Sequence, residues 1–349
     1  IATSLGRLPL SMMPLAILTL ATASTGSIAL AGVAAAAAAL GEAVGAPTSG
    51  ALTDRFGQRP VLLSGVVLNV VFAVSFVATI AEAPDAVVIA LAGATGLSLP
   101  QVGPLSRVRW MAMDHDDLSA AFAFEGVIDE VVYIIGPALV GILAVTVSPE
   151  VALLSAAALI AVFVTQFALH PTARFAIRRA DAAPAEAPET TRTPLPARVR
   201  RSLGAVVLGG MLAMGTFFGA SQAGLTSFAL ANGLGDSGSL LYAVMAVGSA
   251  VTTVAMVALP DRIGLATRWM LAGAGMAIGA VGMMLAPNVV VLLLWAVLAG
   301  AFQGPALLTI FSVAGSIAQP GRAGILMTLT GSGVVLGVAI GTSVGGALA

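Results

Sequence analysis

The stretch Gly50-Ala51-Leu52-Thr53-Asp54-Arg55-Phe56-Gly57-Gln58-Arg59 gathers one acid, two arginines and two glycines into ten residues. Apolar runs flank it on both sides, over 27–50 before and 61–81 after. A helix needs about 20 residues to cross roughly 30 Å of hydrocarbon. The stretch therefore reads as a turn between two membrane spans. It has an echo, because Asp261-Arg262-Ile263-Gly264 closes another apolar run 207 residues further on. There Val257 stands for the leading glycine and Ala266 for the final arginine.

Working outward, further apolar runs lie at 5–23, 86–108, 119–144, 150–170, 203–228, 238–259, 268–286, 288–313 and 324–347, eleven in all. They are long and rich in Ala, Leu and Gly, without the short alternation of a membrane barrel. The prediction is an all-α integral membrane protein. Composition agrees: of 349 residues 58% are hydrophobic and 9% charged, with mean hydropathy +1.03. Soluble domains carry roughly 45–50% apolar and about 25% charged residues. Runs continuing to the end of the chain argue against reading the first as a cleaved signal peptide.

Charge placement orients the spans. All fifteen basic residues are arginines, and every one falls in the loops or helix ends of one side. The opposite loops hold only Glu82, Asp85, Glu150 and Asp236. The positive-inside rule puts loops 51–60, 105–117, 171–202, 260–268 and 314–323 in the cytoplasm. Trp110 and Trp269 fall at the same edge, where interfacial tryptophans belong. A net charge of −1 gives no field for nucleic acid. Zero cysteines remove thiolate metal sites and catalytic thiols, and His115 and His170 are too few for a histidine metal site. No metal and no cofactor are predicted.

A second internal echo supports a repeat. Gln101-Val102-Gly103-Pro104 in the fourth run returns as Gln303-Gly304-Pro305 in the tenth. Both echoes are offset by six spans, an even number, so the repeats run parallel. The predicted organisation is an N-terminal six-helix half over 1–170, a cytoplasmic linker over 171–202, and a C-terminal half over 203–349 with five helices in view. Twelve spans are expected. The last helix is read as missing and both ends as trimmed, since the sequence opens without Met and stops inside an apolar stretch.

The 50–59 stretch resembles the signature of the major facilitator superfamily, G-x-x-x-D-R-x-G-x-R between the second and third spans. Gly126, Gly136-Pro137 and Gly141 in the fifth span resemble part of the glycine-proline motif of that family's antiporters, although Val140 stands where a second closing glycine is usual. The resemblance implies a secondary transporter whose two halves rock about a central site. It makes Gly50, Asp54, Arg55, Gly57 and Arg59, with Asp261 and Arg262 of the echo, the expected conformational gate. Asp54 and Arg55 would pair with helix ends of the other half. A carboxylate at a helix N-terminus is worth roughly 0.3–1 kcal/mol there.

The fifth span also holds Glu125, Asp129 and Glu130 inside one apolar run. An ionised group near mid-bilayer costs at least about 2.5–3.5 kcal/mol, so three in one span point to function. Glu125, Asp129, Tyr133 and Gly136 share a face about 80° wide, and Glu130 points about 100° from Asp129. A carboxyl group drawn out of water favours its neutral form. Proton carriage by at least one of the three follows, with Asp129 favoured for its depth. Glu42, between Gly41 and Gly45 of the second span, is a fourth candidate. The bland alternative is a structural pair with Arg107 or Arg109, or a partnership with the polar groups of a neighbouring helix.

The C-terminal half offers Gln222 and Gln303 in helices that line the central cavity of the resembled family. Phe217 and Phe218 join them, with Met13, Gln101 and Tyr133 from the other half. Together they suit a small, largely apolar or neutral solute, although each aromatic taken singly reads as packing. The glycines of 331–345 are packing stripes and not phosphate loops, since no Lys-Ser/Thr follows. The functional expectation is a monomeric, proton-coupled antiporter of a bacterial inner membrane exporting such a solute, with proton symport for uptake as the alternative. A channel and a membrane-embedded enzyme are the remaining classes; with both histidines at span ends, no catalytic constellation is visible.

Overall fold

A computed structural model describes residues 2–113, 118–174, 196–234, 238–259, 263–319 and 321–348. These residues are mostly helical, with no strand among them. The helices are α1 (Ala2–Leu5), α2 (Leu8–Thr25), α3 (Ile28–Phe56), α4 (Gln58–Thr79), α5 (Asp85–Leu97), α6 (Val102–Ala112) and α7 (Leu118–Thr146). They continue as α8 (Pro149–Leu159), α9 (Thr165–Leu169), α10 (Ala197–Ala231), α11 (Gly238–Ala255), α12 (Leu265–Met284), α13 (Val289–Ile317) and α14 (Ala323–Leu348). Nine helical segments among the described residues are long and apolar enough to cross a membrane.

Local chemistry sets the breaks. Gly26 ends α2 at φ +67, a conformation that costs a glycine nothing. Ser27 then caps α3 by accepting from Leu30 N at 3.2 Å. Ser148 does the same for α8, with Pro149 at its first position. Large apolar side chains such as Val67, Val71 and Val74 of α4 stand exposed, as a lipid-facing surface requires.

Several boundaries differ from those read in the sequence. The 51–60 loop is not a loop: α3 runs on to Phe56 and α4 starts at Gln58, so Gly57 alone makes the turn at φ +83. The fourth span is not continuous but splits into α5 and α6 around Leu99 and Pro100, because the residue before a proline is pushed out of the helical region. Asn69 of α4 braces the break, its Nδ2 donating to Thr95 O at 2.7 Å. The stretch assigned to the loop 105–117 is helical as far as Ala112, and Arg107 and Arg109 are each only 2% exposed. Likewise α13 extends to Ile317, and α10 takes up Arg198, Arg200 and Arg201 from the linker. The rest of that linker, from 175 to 195, lies outside the described residues. A π-helical turn at Ile160–Val164 separates α8 from α9.

The chain groups into two compact units. The first takes residues within 1–115, 135–200 and 318–332. Its glycines Gly41 and Gly45 on α3 face Gly93 and Leu97 on α5 with no room for a Cβ. The second takes residues within 116–134, 201–317 and 333–349. There the glycine stripe of α14 lies against α10, with Gly337 on Leu212 O and Gly341 on Thr216 O. Gly279 and Gly282 of α12 likewise seat Ala299 and Trp295 of α13.

Candidate functional site

In the second unit α7, α11 and α13 bring together a polar cluster inside otherwise apolar helices. Glu130 of α7 is 6% exposed. Ser249 of α11 donates its hydroxyl to Glu130 Oε1 at 2.6 Å, and Gln303 Nε2 of α13 approaches the same oxygen at 3.4 Å. Ser249, Thr253 and Gln303 are all buried. Thr253 Oγ1 donates to Ser249 O at 2.8 Å. Small residues let the helices close on one another: Gly126 of α7 faces the Thr253 methyl, and Gly304 of α13 faces the two α11 hydroxyls. The partners of Glu130 in this cluster are neutral, so the carboxyl meets hydrogen-bond donors and no counter-charge there. Two residues singled out for different roles, Glu130 and Gln303, thus share one site. Ser249 and Thr253 were passed over. Their signal was a pair of hydroxyls four residues apart, hence on one helical face.

The other carboxylates make none of the hydrogen bonds given for this cluster, although Asp129 acts on Glu130 through its charge. Glu125 is buried at 1% exposure, and Asp129 is half-buried. Glu42 is 4% exposed within α3. Of the expected solute contacts, Phe218 is buried and Phe217 half-buried against Met245, Ala296 and Ala299. Gln222 and Tyr133 are exposed. In the first unit Met13 is buried, and Gln101 is turned to Leu99 O at 3.2 Å.

The 50–59 stretch builds a second polar feature, in the first unit. Asp54 accepts from two backbone amides at the start of α14, Gly324 N to Oδ1 and Ile325 N to Oδ2, both at 2.8 Å. The side chain thus caps α14, satisfying two of its four orphan donors. Close approach makes this possible. A Cβ on Gly50 would strike Thr328 Oγ1 and reach 2.6 Å from Gly324 O, and one on Gly324 would lie 2.7 Å from Asp54 Oδ1. Arg55 does not join that helix end; it is exposed, 5.1 Å from the centre of the Phe56 ring. Arg59 is exposed as well. Asp261 and Arg262 lie outside the described residues, as does His115.

Gln58 of the same stretch is tied to an arginine the sequence placed at a helix end. Arg109 Nε donates to Gln58 Oε1 at 2.7 Å, and its Nη1 donates to Phe167 O at 2.8 Å and Thr172 Oγ1 at 3.1 Å. Its guanidinium also stacks on the Phe167 ring. Arg109 thereby joins α6 to the start of α4 and the end of α9.

The family model of the Major Facilitator Superfamily matches residues 1–349. No sequence among the curated proteins matches this chain. Solved structures share its fold. The human organic anion transporter MFSD10 (TETRAN) superposes with TM-score 0.72 at 19% identity, covering 98% of this chain and 91% of that one. A bacterial homologue of the iron transporter ferroportin, in an outward-facing state, gives 0.69 at 15%, covering 99% and 90%. The proton:xylose symporter XylE, bound to 6-bromo-6-deoxy-D-glucose, gives 0.64 at 16%, covering 98% and 86%. The chain belongs to the Major Facilitator Superfamily. It is a multi-pass membrane transporter of the secondary class, and not an enzyme.

Proposed function

We propose that this member of the superfamily is a proton-coupled antiporter that exports a small, largely apolar or neutral solute across a bacterial inner membrane. The observation that carries the reading is Glu130, a carboxyl buried in α7 and held by neutral donors from α11 and α13. A lone charge in such a place is costly, and neutralisation by a proton relieves it. The solute class rests on the apolar side chains Phe217, Phe218 and Met13 and the neutral amides Gln101, Gln222 and Gln303. Antiport rests on the likeness of Gly126, Gly136-Pro137 and Gly141 to the antiporter motif.

The halves 1–170 and 203–349 act as the moving bodies of one monomer. Asp54 latches α3 to α14 on the cytoplasmic side, with Arg55 and Arg59 flanking it. Asp129, Glu125 and Glu42 are further proton sites, of which Asp129 is the better placed to exchange because it is only half-buried.

The test starts from a thermal-stability screen of the purified chain against a solute library at two pH values, since a ligand that binds the folded form raises its stability by mass action. A hit is then added to proteoliposomes holding an imposed pH gradient. Saturable dissipation of the gradient by wild type, absent in Glu130→Gln, is the expected result. Saturable flux indifferent to pH removes the proton from the mechanism, and flux that does not saturate makes the protein a channel.

A further inference from the structure

The cluster around Glu130 holds more oxygen than a proton needs. Both hydroxyls already use their hydrogens, Ser249 towards Glu130 Oε1 at 2.6 Å and Thr253 towards Ser249 O at 2.8 Å. Their lone pairs remain unused by these bonds. They also converge. A Cβ placed on Gly304 would overlap Thr253 Oγ1 and lie 2.6 Å from Ser249 O and 2.8 Å from Ser249 Oγ. The amide oxygen of Gln303, a residue 1% exposed, is buried without a hydrogen-bond donor among the described residues. A buried acceptor left in that condition is rare and calls for a partner.

We propose that Glu130, Ser249, Thr253 and Gln303 form a binding site for a dehydrated Na+ ion. The set is all oxygen, which suits a hard cation and offers nothing to a soft one. One carboxylate matches one positive charge. A divalent ion would leave a net charge buried in an apolar bundle, at the cost that buried unpaired charge always carries. The proposal rests on reading Glu130 as the ion-coupling carboxyl, and it adds a second occupant: Na+ and the proton compete for the same group. Among the described residues, Asp129 on its own helix and Tyr242 on α11 are titratable groups that act on Glu130, and Glu125 stands five residues earlier on α7. Helix α13 contributes none, since Val289–Ile317 contains no ionisable side chain.

The decisive experiment is equilibrium binding of radioactive Na+ to the purified full chain in choline buffer, with K+ and Li+ as competitors. Wild type should bind saturably, with affinity falling as the buffer is acidified. Glu130→Gln should lose binding. Ser249→Ala and Gln303→Leu should each weaken it at least tenfold while melting within a few degrees of wild type in choline. That last comparison separates ligand loss from misfolding. Absence of saturable binding, or binding unchanged in Glu130→Gln, overturns the Na+ site. If Na+ does not bind but Glu130→Gln still abolishes gradient dissipation, the Na+ site falls and the proton reading stands. If Na+ binds through Glu130 while the imposed pH gradient proves irrelevant to transport, the proton reading falls and the Na+ site stands.

Discussion

Ser249 Oγ and Glu130 Oε1 lie 2.6 Å apart although 119 residues separate them in the chain. A hydrogen bond to an ionised group contributes about 1.5–3 kcal/mol in soluble proteins, whereas bonds between membrane helices average about 0.6 and reach about 1.7. Ser249→Ala is therefore expected to lower stability by about 1–2 kcal/mol in detergent unfolding, and Ser249→Thr, which keeps the hydroxyl, by less than half of that. Equal losses in the two variants would mean that packing, not the bond, matters at this position.

The contact of Asp54 with the start of α14 gives an ordered series. Asp54→Asn keeps an acceptor oxygen but loses the charge, worth roughly 0.3–1 kcal/mol beside a helix N-terminus. Asp54→Ala loses both bonds. These 349 residues include no cysteine, so Thr328→Cys, at a position 0% exposed, can report opening by its thiol-labelling rate. Labelling should rise several-fold with Asp54→Ala and less with Asp54→Asn. An unchanged rate in Asp54→Ala would show that the two amides find other acceptors at no cost.

The glycine crossing is tested by a pair of variants. Gly50→Ala meets both Thr328 Oγ1 and the Gly324 carbonyl. Adding Thr328→Ala removes the first obstacle and leaves the second, so the double variant should regain only part of the lost stability. Gly209→Ala on α10 is the control, because no heavy atom lies within 4 Å of its new Cβ. That change should stabilise by up to about 1 kcal/mol through helix propensity alone. Full rescue of Gly50→Ala would place the limit at Thr328 and not at the backbone.

Arg109 is expected to tolerate no cation in its place. Its fork makes bonds to Gln58, Phe167 and Thr172 while its plane lies on a ring. A lysine ammonium is a point charge and cannot reproduce that set. Arg109→Lys should cost at least about 3 kcal/mol, the scale of one or two charged hydrogen bonds lost in the interior, and should resemble Arg109→Gln in folded yield. A lysine variant melting like wild type would reduce Arg109 to a surface-type charge.

Most of the fold was legible because the length of an apolar run is a direct measure of the bilayer. The break between α5 and α6 was not, since the run stays apolar across Leu99 and Pro100 and hydropathy alone does not register a change of direction. Arg107 and Arg109 misled for a related reason. Arginines at the end of a run suggest a solvated edge, whereas Arg109 is buried by partners from Gln58 and from Phe167 and Thr172 that only packing brings near. At the candidate site, Glu130 and Gln303 stood out singly, but a pairing across 173 residues leaves no local trace. Ser249 was hidden by its own kind. Serines and threonines in these helices mostly bond the carbonyl a turn earlier, as Thr19, Thr22 and Thr48 do, and the four-residue spacing of Ser249 and Thr253 does not by itself tell a hydroxyl that reaches across from one that bonds its own helix.

Gly50 and Gly324 give the α3–α14 crossing a mechanical asymmetry. With no side chain on Gly50 or Gly324, the two backbones stand close together there, and a Cβ on Gly50 would reach 2.6 Å from Gly324 O. Pushing them together is a steep repulsive wall, and pulling them apart breaks the two bonds to the carboxylate of Asp54. That carboxylate serves two neighbouring amides at once, so it does not let go of one and creep along the other. The crossing behaves as a ratchet stop with one tooth: rigid in compression, brittle in extension, and without intermediate positions.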